Sequence, residues 1–191
     1  MTRGRPRQFD EQRVLGKAAQ LFRERGYAST SLQALSQSMD MGEQSIYNAF
    51  GSKEQVFQRA LEQYCVERAG GLRMLAAPGA SLGTIEAFFA AMIESMSGDA
   101  QACLITKTCL TREDGDTAVA RKVSQHMRNV EKCFQKAVEN SVEKGEVRCD
   151  DPKRIARFLN MTVQGVSVLA RSGTSKKVLR DLVDVSLSVL R

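Results

Sequence analysis

Several features are missing from this chain, and each absence closes off a class of function. No apolar run approaches the roughly 20 residues needed to cross a bilayer. The stretch MTRGRPRQF is basic and polar with no hydrophobic signal region, so no membrane contact and a cytoplasmic location are expected. The sequence carries no phosphate-binding loop, nucleophile elbow, metalloprotease motif or paired acid with a partner at useful spacing. Catalysis therefore has no candidate group, and no cofactor is expected. Metal-ligand spacing is missing too: Cys65, Cys103, Cys109, Cys133 and Cys149 form no C-x-x-C pair and no zinc-like cluster with the single histidine, His126. A reducing compartment disfavours disulfides, so most of these thiols are expected to act as small buried hydrophobes.

What is present is a chain of 191 residues with 28 Lys and Arg against 22 Asp and Glu, a formal net charge of +6. That length buries a proper core and divides comfortably into one small and one larger domain. The cationic surplus favours a polyanionic partner but is too scattered to define one.

The stretch Thr30–Lys53, TSLQALSQSMDMGEQSIYNAFGSK, narrows the choice. Thr30 is placed to cap a helix through its hydroxyl, with Gln33 closing a capping box, and Leu32, Leu35 and Met39 recur at helical spacing. Asp40, which tolerates the left-handed conformation, and Gly42 flank Met41 in a short turn, as in a helix-turn-helix. In the next helix Ile46, Ala49 and Phe50 fall on one side, while Gln44, Ser45, Tyr47 and Asn48 lie toward the other. That outer set offers donors and acceptors suited to a major groove. Ser52 begins a further helix with Gln55 in capping-box position, and Lys53 sits where free amides and the helix dipole attract a phosphate. An ordinary helical hairpin with a solvated outer face fits the same residues. Arg3, Arg5 and Arg7 shift the balance: they lie on a segment too rich in charge, Gly and Pro to fold alone, which suits an arm that reaches a groove or phosphates.

Residues 9–57 resemble the DNA-binding domain of the TetR family of transcriptional regulators. Phe22-Arg23-Glu24-Arg25-Gly26-Tyr27, Thr30-Ser31-Leu32, Ile46-Tyr47-Asn48-Ala49-Phe50 and Ser52-Lys53-Glu54 follow one another in the family's order and spacing. The resemblance implies an all-α fold, with an N-terminal arm and three-helix helix-turn-helix domain over residues 1–51. A helical domain for ligand binding and dimerisation then spans 52–191, entered through a long fourth helix. It further implies that Tyr47 and Lys53 contact phosphates, that Thr30 touches the DNA backbone at a helix start, and that Gln44, Ser45 and Asn48 face the bases. Asp40 departs from the family's usual Gly and Gln44 from its usual small residue, so the sequence read-out stays open. Glu43 either complements the dipole of its helix or accepts from a cytosine amino group.

Downstream the pattern stays helical. Val56, Phe57, Ala60, Leu61 and Tyr64 form a stripe from Ser52 toward Gly70-Gly71, which offers a stop. Ser81 is placed to cap a helix bearing Ile85, Phe88, Phe89, Met92 and Met96, broken near Gly98. The run CLITKTCLT has strand propensity, yet a lone strand would have no partner for its backbone, so a buried helix is expected. A long amphipathic helix follows over 117–144, ending at Gly145. Asp151-Pro152 starts the next helix by the cap-then-proline rule, and a last one runs roughly Ser175–Leu190.

Those last two helices carry surplus apolar surface. With Gly165 allowing close approach, helices near 151–171 and 175–190 are expected to form an intermolecular four-helix bundle. The resemblance implies the same homodimer, hence a palindromic operator in double-stranded DNA with half-sites about one helical turn apart. It also implies a small-molecule inducer held among the helices. Phe88, Phe89, Met92, Met96, Cys103, His126, Met127, Phe134 and Met161 are the candidate lining, with Gln125, Asn160 and Gln164 as further polar groups. Plain core is the competing reading for each. Ala102-Cys103-Leu104-Ile105 resembles a Gly-Cys-Leu-Leu element of one TetR subgroup, some of whose members respond to oxidants or electrophiles. Lys107 lies one turn on, where an ammonium favours a thiolate, so switching at Cys103 is an alternative to an inducer. A helical interaction protein without a DNA role is the alternative of another class.

Overall fold

The computed structural model describes residues 9–96, 103–111 and 117–191, and every regular element among them is helical. By compactness the chain divides into a unit ending at Val66 and a second spanning Glu67–Arg191.

The first unit holds α1 (Glu11–Arg25), α2 (Leu32–Met39), α3 (Glu43–Phe50) and all but the last residue of α4 (Lys53–Glu67). Asp10 starts α1, its carboxylate accepting from the Arg13 amide at 3.2 Å. Val14, Leu15, Ala18 and Phe22 of α1 then meet Leu35, Met39, Ile46 and Phe50 in a closed core. Into it α4 inserts Val56, Phe57, Ala60 and Leu61, with the Phe57 ring edge-on to Phe22 at 4.8 Å between centroids. Arg59 reaches from α4 to Glu11 at 2.9 Å. Packing therefore groups α4 with the first three helices, whereas the sequence reading placed everything from Ser52 onward in the larger domain. The apolar stripe alone does not say which neighbour it covers.

One local expectation is corrected. Ser31, not Thr30, caps α2, accepting from the Ala34 amide at 3.1 Å. Thr30 is completely buried, and its hydroxyl donates to the Gly26 carbonyl at 2.6 Å, satisfying a group that ends α1. The turn after α2 follows the expected course: Asp40 is left-handed at φ 55° and ψ 47°, and the Met41 amide closes back on Ser36 O at 3.1 Å.

The second unit comprises α5 (Ala69–Leu75), α6 (Leu82–Glu94), α7 (Leu104–Thr111), α8 (Thr117–Glu143), α9 (Pro152–Arg171) and α10 (Lys176–Leu187), closed by a 3-10 turn at Ser188–Leu190. The helical break falls at Arg68 (φ −95°, ψ 2°), and Gly70 and Gly71 lie inside α5. Gly71 serves close approach instead of termination, since a Cβ there would stand 3.1 Å from the Phe88 ring. The CLITKTCLT run is helical from Leu104. Asp151 caps α9 ahead of Pro152, accepting from the Arg154 amide at 2.9 Å. The expected break near Gly98 lies outside the described residues.

The α5–α6 turn is held by the far end of α8. Asn140 donates to Ala77 O at 3.1 Å, and the Lys144 ammonium donates to Gly79 O at 2.9 Å and Ala80 O at 3.2 Å. These bonds satisfy carbonyls that no helix uses.

Candidate functional site

Helix α3 is amphipathic to a degree that decides its orientation. Ile46 and Phe50 are buried, while Glu43, Gln44, Ser45, Tyr47 and Asn48 are exposed, Tyr47 by 61%. The sequence reading of this outer face therefore matches the side-chain directions. Gln44 Nε2 donates to Asn48 Oδ1 at 3.1 Å, which leaves a Gln44 acceptor and the Asn48 amino donors presented together. Glu43 stands in the first turn of α3, where its charge complements the dipole.

The junction to α4 is tightly specified. Gly51 takes φ 86° and ψ −135°, and the Ser52–Gln55 capping box forms as expected, with Ser52 N to Gln55 Oε1 at 2.8 Å and Gln55 N to Ser52 Oγ at 3.3 Å. Lys53 is half-buried, and its Nζ rests 4.4 Å from the centroid of the Tyr27 ring. Loss of water around the ammonium lowers its pKa below the ordinary 10.5. Tyr27 is held in turn against Phe57 at 5.0 Å and Phe22 at 6.2 Å.

Tyr27 is the residue that sequence reasoning missed. The family motif includes it but assigns it no role, because its partner is 26 positions away and no periodicity links them. Phe9 was missed similarly, and its ring lies 5.7 Å from Phe50 at the end of α3. Arg3, Arg5 and Arg7 lie outside the described residues. Thr30, expected at the DNA backbone, has its side chain sealed inside the unit.

In the second unit the candidate pocket residues divide. Phe88, Phe89 and Phe134 form a ring cluster with centroids 5.3 to 5.7 Å apart. Phe89 and Phe134 are fully buried, and Phe88, Met92 and Met96 pack against the cluster at its edge. His126 and Met127 are half-buried on α8, and burial lowers the His126 pKa below its ordinary 6.5, favouring the neutral ring. Beside them a polar chain crosses three helices: Thr106 Oγ1 donates to Gln164 Oε1 at 2.6 Å, Gln164 Nε2 to Asn160 Oδ1 at 3.4 Å, and Asn160 Nδ2 to Met127 O at 3.2 Å. Gln125 is not part of it, being exposed and bonded along α8 to Asn129.

Met161 leaves the pocket list, because it faces outward at 60% exposure. It shares the outer side of α9 with Val168 at 41%, and α10 with the 3-10 turn that closes it adds Val178, Leu182, Val185 and Val189, spaced four, three and four residues apart and 41 to 71% exposed. Gly165, on the same side of α9, has no heavy atom within 4 Å of a built Cβ. The opposite side of α10 is core, with Leu179, Val183 and Leu187 buried. Lys107 is buried on α7, Cys103 is half-buried, Cys109 exposed, and burial pushes the Cys133 thiol pKa up. Among the described residues no group of His, Cys, Asp or Glu is placed to hold a metal, and no helix is long and apolar enough to cross a membrane.

Comparison with known proteins gives one answer along the chain. The model of bacterial regulatory proteins of the tetR family matches residues 14–60, and that of the tetracyclin repressor-like C-terminal domain matches residues 81–184. The HTH-type transcriptional regulator YezE of Bacillus subtilis (strain 168) is 30% identical over 98% of this chain and 99% of its own length. The HTH-type transcriptional repressor ComR of Escherichia coli (strain K12) is 28% identical over 97% of this chain and 91% of its own. Among solved structures, a cysteine mutant of the TetR family regulator CifR, complexed with 26-bp double-strand operator DNA, superposes with a TM-score of 0.88 at 26% identity. That match covers 98% of this chain and 100% of the other.

Proposed function

The chain belongs to the TetR family of transcriptional regulators, and on that premise we propose how its residues divide the work of a dimeric, sequence-specific DNA-binding repressor. Gln44, Ser45 and Asn48 read bases in the major groove, with Glu43 as an additional acceptor for a cytosine amino group. Tyr47 and Lys53 clamp phosphates, and Arg3 and Arg5 extend the contact from the arm. Thr30 supports the site from inside by fixing the end of α1.

The observation that carries this reading is the separation of α3 into a buried side, Ile46 and Phe50, and a polar exposed side, Glu43, Gln44, Ser45, Tyr47 and Asn48, with Lys53 following at the start of α4. The outer faces of α9 and α10 join two copies, so the operator is a palindrome with half-sites about one turn apart. A small, mainly apolar inducer enters beside Phe88, Met92, Met96 and Met127, with Gln164, Asn160 and neutral His126 as its polar contacts, and shifts the dimer away from the DNA-binding state. The repressor works in the cytoplasm and carries out no catalysis. Thiol switching at Cys103 is not favoured over an inducer, and the DNA-free alternative falls with the family assignment.

The test is selection of bound sites from random DNA, followed by affinity measurement across salt. A palindrome, with affinity falling steeply in salt, is expected. Tyr47→Phe and Lys53→Ala weaken every sequence similarly, while Asn48→Ala alters preference. Unchanged affinity in all three variants overturns the assignment of this face.

A further inference from the structure

We infer that Tyr27 is a positioning residue for the phosphate contact of Lys53, its ring acting as a shelf on which the ammonium lies already aimed before DNA arrives. The inference rests on the reading of Lys53 as a phosphate ligand given above. Both ends of the lysine side chain are fixed by independent features. Its backbone is set by the Ser52–Gln55 capping box at the start of α4. Its Nζ lies 4.4 Å over the Tyr27 ring, and that ring is itself wedged between Phe22 and Phe57. The side chain between them is therefore held in a narrow set of rotamers.

The chemistry of the shelf matters. An aromatic face attracts a cation through its quadrupole but offers no strong acceptor, so the ammonium hydrogens stay available to phosphate oxygens. A carboxylate shelf would hold the lysine as well and compete with the phosphate. Tyr27 is 38% exposed, so the shelf stays open to solvent on one side. A lysine that starts disordered loses about 0.5–1.5 kcal/mol of freedom when it is immobilised at an interface, equivalent to about two- to tenfold in affinity. Pre-ordering by Tyr27 removes that loss once per reading head.

The experiment is a cycle of Tyr27→Leu and Lys53→Ala in the full chain. Binding is titrated on a duplex carrying the selected palindrome and on an unrelated duplex of equal length at low salt. Tyr27→Leu is expected to weaken both by about two- to tenfold per head with an unchanged salt slope, because the contact still forms. Lys53→Ala is expected to lower the slope by about one per head. Adding Tyr27→Leu to Lys53→Ala is expected to do nothing further, and Tyr27→Phe, which keeps the ring, is expected to match the parent. Equal loss from Tyr27→Leu in both backgrounds, or none in the parent, overturns the shelf while leaving the phosphate reading intact. No effect of Lys53→Ala itself overturns both. Should Tyr27→Leu unfold, the Lys53 ε-methylene protons decide: an upfield ring-current shift in the parent and in Tyr27→Phe supports the shelf, and its absence overturns it.

Discussion

Gly51 joins the base-reading helix to the helix that carries Lys53, and Gly51→Ala puts a number on how tightly that junction is specified. At φ 86° and ψ −135° the backbone is in a region that side chains rarely adopt, and strain there costs about 1–3 kcal/mol. A Cβ would also stand 1.9 Å from Gln55 Oε1 and 2.8 Å from Gln55 Cδ, so the amide must swing away and release the Ser52 amide. Loss of a cap costs about 0.5–2 kcal/mol. Against these, alanine restricts the unfolded chain and returns about 0.4–1 kcal/mol. The sum centres on roughly 2.5 kcal/mol of destabilisation, with most of it borne by the first unit. The assay is denaturant unfolding followed by circular dichroism at fixed protein concentration, since a dimer's midpoint depends on it. Gln55→Ala alone is expected to cost about 1 kcal/mol, and the double variant no more than Gly51→Ala, because the cap is already lost. Additive costs in the double variant refute the clash, and a Gly51→Ala cost below about 0.5 kcal/mol refutes the strain.

Two further outcomes follow from the second unit. Val185, 71% exposed in the single chain, lies in the middle of the α10 stripe, so Val185→Glu buries an unpaired carboxylate in the dimer; sedimentation should show monomers, and operator affinity should fall in step. His126 has a folded-state pKa depressed by burial, so the unfolded chain binds its proton first. Stability is therefore expected to drop as pH falls from the unfolded value near 6.5 toward the lower folded value, and His126→Gln should flatten that slope in urea midpoints.

Helix positions were legible because they depend on local chemistry that a sequence writes out. Asp151-Pro152 is a start signal wherever it occurs, and the Ser52–Gln55 box needs only residues three apart. The CLITKTCLT run was legible only through a global argument, that an unpaired strand leaves its backbone unsatisfied, and α7 is indeed a helix. Gly70-Gly71 misled for a related reason. Glycine is equally suited to ending a helix and to admitting a ring against its backbone, and the Phe88 ring that settles the matter comes from another helix. Thr30 and Ser31 are both competent caps, and the choice between them was made by the Gly26 carbonyl, which needed a hydroxyl and lay four residues upstream of Thr30.

The site shows the same division more sharply. Which residues of α3 face outward follows from the 3.6-residue period, so Gln44, Ser45, Tyr47 and Asn48 are readable from the sequence. What holds them was not. The Gln44–Asn48 bond uses a residue that departs from the family's usual small side chain, and the Lys53–Tyr27 contact spans two helices and the turn between them. On α9, Met161 and Val166 are both apolar, yet one is 60% exposed and the other 3%. Hydrophobicity says that each will be covered, but not by which molecule. In a protein that works as a dimer, the same apolar face serves as core or as interface according to a partner that the single chain does not contain. In the proposed repressor Met161 therefore goes with Val185 and Leu182 to the dimer's core, and the inducer keeps the side of α6 and α8 that faces Gln164 and Asn160 of α9.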